Sequence, residues 1–178
     1  MLITFILILI IVIALIAILY VNTYNNLAIY KTKIEKAENI IDEALRNKYD
    51  IIAKLNVLIK KEVTKKDYLK DYIELKDKKV SNFEIDRKLA EATNIILEVK
   101  NDHEKLNNKE FNSLLKEIDA INETLASSKN YYNNNTSKLN QIIRKFPSNI
   151  IAKIHKYRIK PFFDGKNMQD AVIDDFKL

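Results

Sequence analysis

Cysteine is absent from this 178-residue chain, which excludes disulfides, thiolate nucleophiles and zinc–thiolate sites without choosing a compartment. Glycine occurs once, at Gly165, and proline twice, at Pro147 and Pro161. A single glycine cannot build the phosphate-cradling loops of P-loop or dinucleotide-binding proteins. Residues 1–146 hold neither glycine nor proline, so the turn punctuation that strands require is missing. An all-α fold follows. Histidine is nearly absent too: His103 and His155 are isolated, and neither forms the i,i+4 pair of a helical metal site. No serine sits in a nucleophile-elbow sequence. These absences predict no catalytic, metal-binding or cofactor-binding residue, no cofactor, and a chain that is not an enzyme.

What is present divides into two regimes that the mean hydropathy of -0.22 conceals. From Leu2 to Val21 every residue is apolar or aromatic except Thr4, and the first charge is Lys31. A helix rises about 1.5 Å per residue and a bilayer's hydrocarbon core is about 30 Å thick, so about 20 apolar residues suffice to cross it. A cleavable signal peptide would want a basic segment first, an apolar core of about 7–15 residues and a small-residue cleavage site. Here no Lys or Arg precedes the run, and it passes into Asn22, Thr23 and Tyr24. The expectation is an uncleaved single membrane span. Lys31, Lys33 and Lys36 follow it, so the positive-inside rule puts the N-terminus outside and the remainder in the cytoplasm. Tyr20 and Tyr24 fall where amphipathic rings are enriched, near the headgroups.

Beyond the span, Leu27, Ile34, Ala37, Ile41, Ala44, Ile51, Ile52, Leu55 and Ile59 recur at spacings that make one apolar helix stripe, near a 3.5-residue period. No break separates this stripe from the span, so one helix can run through both. Thr64 followed by Asp67 resembles a capping box, yet Leu69, Tyr72 and Ile73 continue the earlier phase, and both readings stay open. Ser81 with Glu84 marks a clearer start, opening a helix that buries Ile85, Leu89, Ala92, Ile96 and Val99. Asn107 with Glu110 begins the next, which carries Leu114, Ile118, Ile121, Leu125, Tyr132, Leu139 and Ile143. Phe146-Pro147 ends it, because the residue before proline is pushed out of the α region. Ser148 can cap a short helix of Ile150, Ile151, Ile154 and Tyr157. The predicted divisions are a transmembrane helix at 1–23, an antiparallel three- or four-helix bundle at 24–160, and a tail at 161–178 with an ordered aromatic contact at Phe162-Phe163. The stripe also suits a parallel homo-oligomer, although several amphipathic helices are available to pack on one another.

Three stretches together resemble the LemA family of membrane-anchored helical proteins. Tyr24-Asn25-Asn26-Leu27 follows the span, and Ile41-Asp42-Glu43-Ala44-Leu45 leads through basic residues to Asp50-Ile51-Ile52. The third comprises Tyr132-Asn133, Asn140, Ile143, Phe146-Pro147-Ser148-Asn149 and Ala152, then Lys160-Pro161-Phe162-Phe163-Asp164. The Phe-Pro-Ser-Asn tetrapeptide with spaced partners on both sides is the most specific of these. The chain departs from the family pattern at Glu38, at Ala53-Lys54 and at Leu139-Asn140, and residues 61–108 match weakly. The resemblance implies an N-terminal span and an antiparallel helical bundle, and it transfers no catalytic residue.

Charge is distributed unevenly. Between Glu123 and Asp164 there is no acid, while eight Lys and Arg lie between them, more than the whole-chain net of +6. Arg144, Lys145, Lys153, Lys156, Arg158 and Lys160 are therefore candidates for an anionic surface, with lipid headgroups or an acidic protein face as partner. The alternative is a solvated basic face whose apolar side docks on the bundle. Nucleic acid is disfavoured for a tethered domain lacking a recognised binding module. Asn133, Asn134 and Asn135 interrupt a helix stripe, and asparagine is a poor interior helix former. One reading is a buried polar network of Asn133 with Asn25 and Asp42 that sets helix register; the other is simple exposure. Asp42, Arg46 and Asp50 are spaced for i,i+4 ion pairs. The function expected from all this is a non-catalytic membrane scaffold binding other membrane or envelope proteins, with anionic-lipid sensing through 144–160 as the alternative.

Overall fold

The computed structural model describes residues 1–63, 67–77 and 80–163, and among them every regular element is helical. Helix α1 runs unbroken from Leu2 to Glu62, so no residue between the apolar run and the stripe leaves the helix. Met1 to Asn22 are all exposed, and α1 is long and apolar enough to cross a membrane. The first buried residue is Leu27, and all nine stripe positions from Leu27 to Ile59 are buried. One helix therefore carries an exposed apolar run at one end and a buried core stripe further along.

Lys60 and Lys61 occupy the last turn of α1, where the helix dipole favours cations. Of the Thr64 capping box, Thr64 to Lys66 lie outside the described residues. The next helical residue is Lys70, at the start of α2 (Lys70–Ile73), with Leu69 fully buried just before it. A 3-10 turn follows at Glu74–Asp77. The Tyr49 hydroxyl donates to the Ile73 carbonyl at 2.7 Å, holding the end of α2 to α1.

Helix α3 (Asn82–Asp102) opens as its sequence predicts: Ser81 is extended, and its hydroxyl accepts from the Glu84 N–H at 3.3 Å. It buries Leu89, Ala92, Ile96 and Val99, while Ile85 is half-buried. Helix α4 (Lys109–Arg144) starts one residue later than the spacing suggested. The cap is Asn108, whose Oδ1 accepts from the Phe111 N–H at 3.0 Å; Asn107 instead accepts from the Asn112 amide at 3.0 Å. Phe111, Ile118, Leu125, Tyr132 and Leu139 are buried at intervals of seven, the heptad seam of a helix that packs along its length.

By contacts the chain forms two compact units, one of residues 1–36 with 131–178 and one of residues 37–130. In the second, α1 and α3 run the same way, since Asp42 meets Asn82 near one end and Glu62 lies 4.0 Å from Lys105 near the other. Helix α4 runs against both: Lys48 of α1 reaches Asn122, and Asp86 of α3 reaches Lys129, each at 2.7 Å. The antiparallel packing comes through α4, and the connection 63–81 brings the chain back so that α3 can repeat α1's direction.

In the first unit, α4 stops at Arg144, and α5 spans Ser148–Ile154. Ser148 does not cap α5. Pro147 occupies the cap position and makes no side-chain cap bond, leaving Ser148 as the first helical residue. Ile151 and Ala152 are buried, whereas Ile150 and Ile154 are 51% and 61% exposed. The short helix thus docks on one side only.

Candidate functional site

Two places gather polar side chains, one in each unit. In the second unit a cleft of about 450 Å³ is lined by Asp42, Leu45, Arg46, Tyr49, Leu75 and Asn82, among others. Its polar groups hold the helices together. Asp42 is half-buried and accepts from the Asn82 amide, and Tyr49 is committed to Ile73. The ion pairs expected within Asp42, Arg46 and Asp50 do not form. Asp42 has taken a neutral partner on α3, and Arg46 and Asp50 are exposed, where an i,i+4 pair gains too little to hold two flexible side chains together.

Nearby, Lys48 is only 2% exposed, a burial that spacing alone did not flag. Its ammonium donates to Asn122 Oδ1 at 2.7 Å. Burial pushes its pKa below the ordinary lysine value; Asp86 opposes that shift and Lys129 adds to it. Asp86 itself pairs with Lys129 at 2.7 Å. A buried lysine of lowered pKa is sometimes a catalytic base. Here its bond to Asn122 and the neighbouring ion pair satisfy it structurally. Among the described residues no three His, Asp or Glu side chains cluster as a metal site would require.

The first unit builds a different kind of site, from Tyr20 and Tyr24 on α1, the turn after α5, and the extended segment 157–163. The Tyr20 hydroxyl and His155 Nε2 are 2.6 Å apart, and the Tyr24 ring lies 4.7 Å from the imidazole, tilted by 51°. Tyr20 is the penultimate residue of the apolar run, so this contact fixes the end of α5 beside the C-terminal end of that run. The segment beyond α5 is then stitched to α4. Asn140 is fully buried, accepting from the Lys160 N–H at 2.9 Å and donating to the Lys160 carbonyl at 2.8 Å. One side-chain amide thereby satisfies both backbone groups of a residue, as a neighbouring strand would. Asn133 Oδ1 accepts from the Phe163 N–H at 2.9 Å, and the Tyr132 hydroxyl donates to the Pro161 carbonyl at 3.0 Å. The Phe163 ring meets Tyr132 edge-on at 6.5 Å.

These bonds give physical meaning to the motif. The Tyr-Asn pair, the later Asn140 and the Lys-Pro-Phe-Phe run are two halves of one clamp. Of the residues expected in a polar network, Asn133 accepts from Phe163, Asp42 accepts from Asn82, and Asn25 is exposed. The partners of Asn133 and Asn140 are backbone groups, which a side-chain pattern does not advertise.

Residues 37–175 match the model of the LemA family. The chain belongs to the LemA family. The match takes in all of the second unit and the clamp, and so joins the bundle to the motif that the sequence resemblance rested on. No curated protein matches this LemA-family chain.

Of the basic candidates, Arg144, Lys145, Lys153, Lys156 and Arg158 are exposed. Lys160 stands apart: it is half-buried, and its ammonium lies 5.9 Å from the Tyr132 ring centroid. Sequence reasoning missed His155 as a structural contact, because an isolated histidine carries no periodic signal. It also missed the exposure of Phe146, which at 74% is the most exposed large apolar side chain beyond the apolar run among the described residues.

Proposed function

We propose that this LemA-family protein is a membrane-anchored, non-catalytic scaffold that presents a helical bundle to other membrane proteins. The observation that carries the reading is α1 itself, a single helix with an exposed apolar run of bilayer length at one end and a fully buried core stripe at the other. Such a helix makes the anchor and the bundle one element. The polar groups that chemistry would need are engaged in holding helices, as at Asp42–Asn82, Lys48–Asn122 and Asp86–Lys129. That pattern favours assembly over turnover.

Crosslinking and mass spectrometry on intact membranes tests it. Reproducible crosslinks from exposed positions such as Lys54, Lys116 and Lys138 to other membrane proteins are expected, and charge reversal at one such face should remove a partner while helicity is kept. Crosslinks confined to the chain itself would overturn the scaffold reading and leave a homo-oligomer in its place. A second reading, sensing of anionic lipid through 144–160, is favoured by one specific observation: the exposed cations of that segment alternate with exposed apolar side chains.

A further inference from the structure

We infer that the α4–α5 turn and α5 form a second, peripheral membrane contact, a foot that rests in the anionic leaflet interface which α1 has just left. The inference rests on reading Leu2–Val21 as a span, and it deepens the lipid-facing alternative by naming the residues that enter the bilayer.

Position comes first. Tyr20 is one residue from the end of the apolar run, and its hydroxyl lies 2.6 Å from His155 Nε2, with the Tyr24 ring tilted against the same imidazole at 4.7 Å. If the run fills the hydrocarbon core, these tyrosines stand in the headgroup layer, where amphipathic rings settle. His155 directly follows Ile154, so the end of α5 stands at that level as well. The surface is therefore continuous with the membrane contact that the span already makes.

The face presented there is unusual for a bundle. Helix α5 buries Ile151 and Ala152, and with about 100° per residue its opposite side carries Ile150 and Ile154, flanked by Lys153. Both isoleucines are more than half exposed, and Phe146 in the preceding turn is 74% exposed. Three large apolar side chains on one short stretch, left exposed among the described residues, are what an interfacial element inserts into the acyl–headgroup boundary.

Charge decides which lipid. No acid occurs between Glu123 and Asp164, and Arg144, Lys145, Lys153, Lys156 and Arg158 are all exposed. Basic side chains beside inserted apolar ones are attracted to anionic headgroups. Lys156, at the end of α5, holds φ at 57°, in the left-handed region that glycine occupies without strain.

Because the chain lacks cysteine, single-cysteine labelling of the full-length protein is unambiguous. Ile154→Cys, Ile10→Cys and Asn101→Cys, each carrying a polarity-sensitive fluorophore, are reconstituted into phosphatidylcholine vesicles with or without phosphatidylglycerol. Lipids bearing a quencher near the headgroup or deep in the chains report depth. The expected result is shallow quenching of the Ile154→Cys probe in phosphatidylglycerol vesicles, deep quenching at Ile10→Cys and none at Asn101→Cys. Adding Lys153→Gln and Lys156→Gln to the Ile154→Cys chain should lower its quenching several-fold, as should high salt. A probe at Ile154→Cys that stays aqueous while Ile10→Cys is quenched overturns the foot and leaves the span standing, including the case in which a protein covers α5 instead. An unquenched Ile10→Cys probe overturns the span reading itself. Quenching at Ile154→Cys that ignores phosphatidylglycerol, salt and the lysine changes overturns the anionic preference.

Discussion

Lys48 shows how one residue's surroundings change what a charge costs. A lysine in the seam of a bundle must lose water, and its single 2.7 Å bond to Asn122 and the attraction of Asp86 compensate only in part, so its pKa is lowered. A base whose folded pKa lies below its unfolded value binds its proton more weakly in the folded state. Stability then falls as pH drops from the ordinary lysine value toward the folded pKa, and the penalty is complete once pH is below the folded pKa. The expected outcome is a stability that rises with pH on the alkaline side of neutrality, with that slope lost in Lys48→Met. Neutral-pH stability of Lys48→Met should equal or exceed that of the parent, by up to about 1 kcal/mol, since a linear apolar chain fits the space of the lysine stem. Denaturant titrations of the full chain in detergent at several pH values check this; an unchanged slope in Lys48→Met would assign it to another group.

The clamp between α4 and the segment 157–163 is a property of elements, and Asn140 is its centre. Replacing Asn140 with Leu strands the N–H and carbonyl of Lys160, which the amide had satisfied together. A loss of about 2 kcal/mol is expected from two buried bonds, appearing as fast amide exchange over 157–163 with protection in 37–130 unchanged. Equal loss of protection in both units would instead mean that the clamp holds the whole chain. The end of α5 offers the opposite change. Tyr157 N–H bonds to the Ala152 carbonyl and Lys156 N–H to that of Lys153, the paired bonds of a Schellman turn, with Lys156 in the left-handed position. Lys156→Gly should raise protection of α5 by about 1 kcal/mol, whereas Lys156→Ala should bring none, because alanine keeps the offending Cβ.

Elements also differ in how far the sequence disclosed them. The stripe of α1 was readable in full, since nine positions at helical spacing have only one face to share. Ser81 was readable because a cap is a local bond three residues long. Asn108 was displaced by one from the expected Asn107, because adjacent asparagines offer the same chemistry and only packing chooses. The clamp could be found as a pattern but not explained, since the groups that Asn133 and Asn140 satisfy belong to backbone 20 to 30 residues away. The exposure of Ile150 and Ile154 bears on two readings the sequence left open, because four apolar residues on a short basic helix suit either an interface or a docked core face.

At the scale of the molecule, α1 is an unbroken helix from Leu2 to Glu62, so the side on which the bundle lies follows from how the span is inserted. Lys31, Lys33 and Lys36 are the first cations beyond it, and such charges resist transfer to the outer face. The exposed basic residues of 144–158 strengthen that bias, because His155 ties their segment to the C-terminal end of the apolar run at Tyr20. The domain is therefore expected in the cytoplasm with Leu2 outside. With no native cysteine to confuse the signal, Leu2→Cys should react with an impermeant maleimide on intact cells, and Asn101→Cys only after the membrane is opened. The reverse pattern would place the basic segment outside and require that packing, not flanking charge, sets the insertion. Exchanging Lys31, Lys33 and Lys36 for glutamine separates the two contributions. If the flanking lysines alone decide, a mixed population should appear, with both cysteine positions labelling in part. If the cations beyond Arg144 share the task, the orientation should hold until Lys153, Lys156 and Arg158 are neutralised as well.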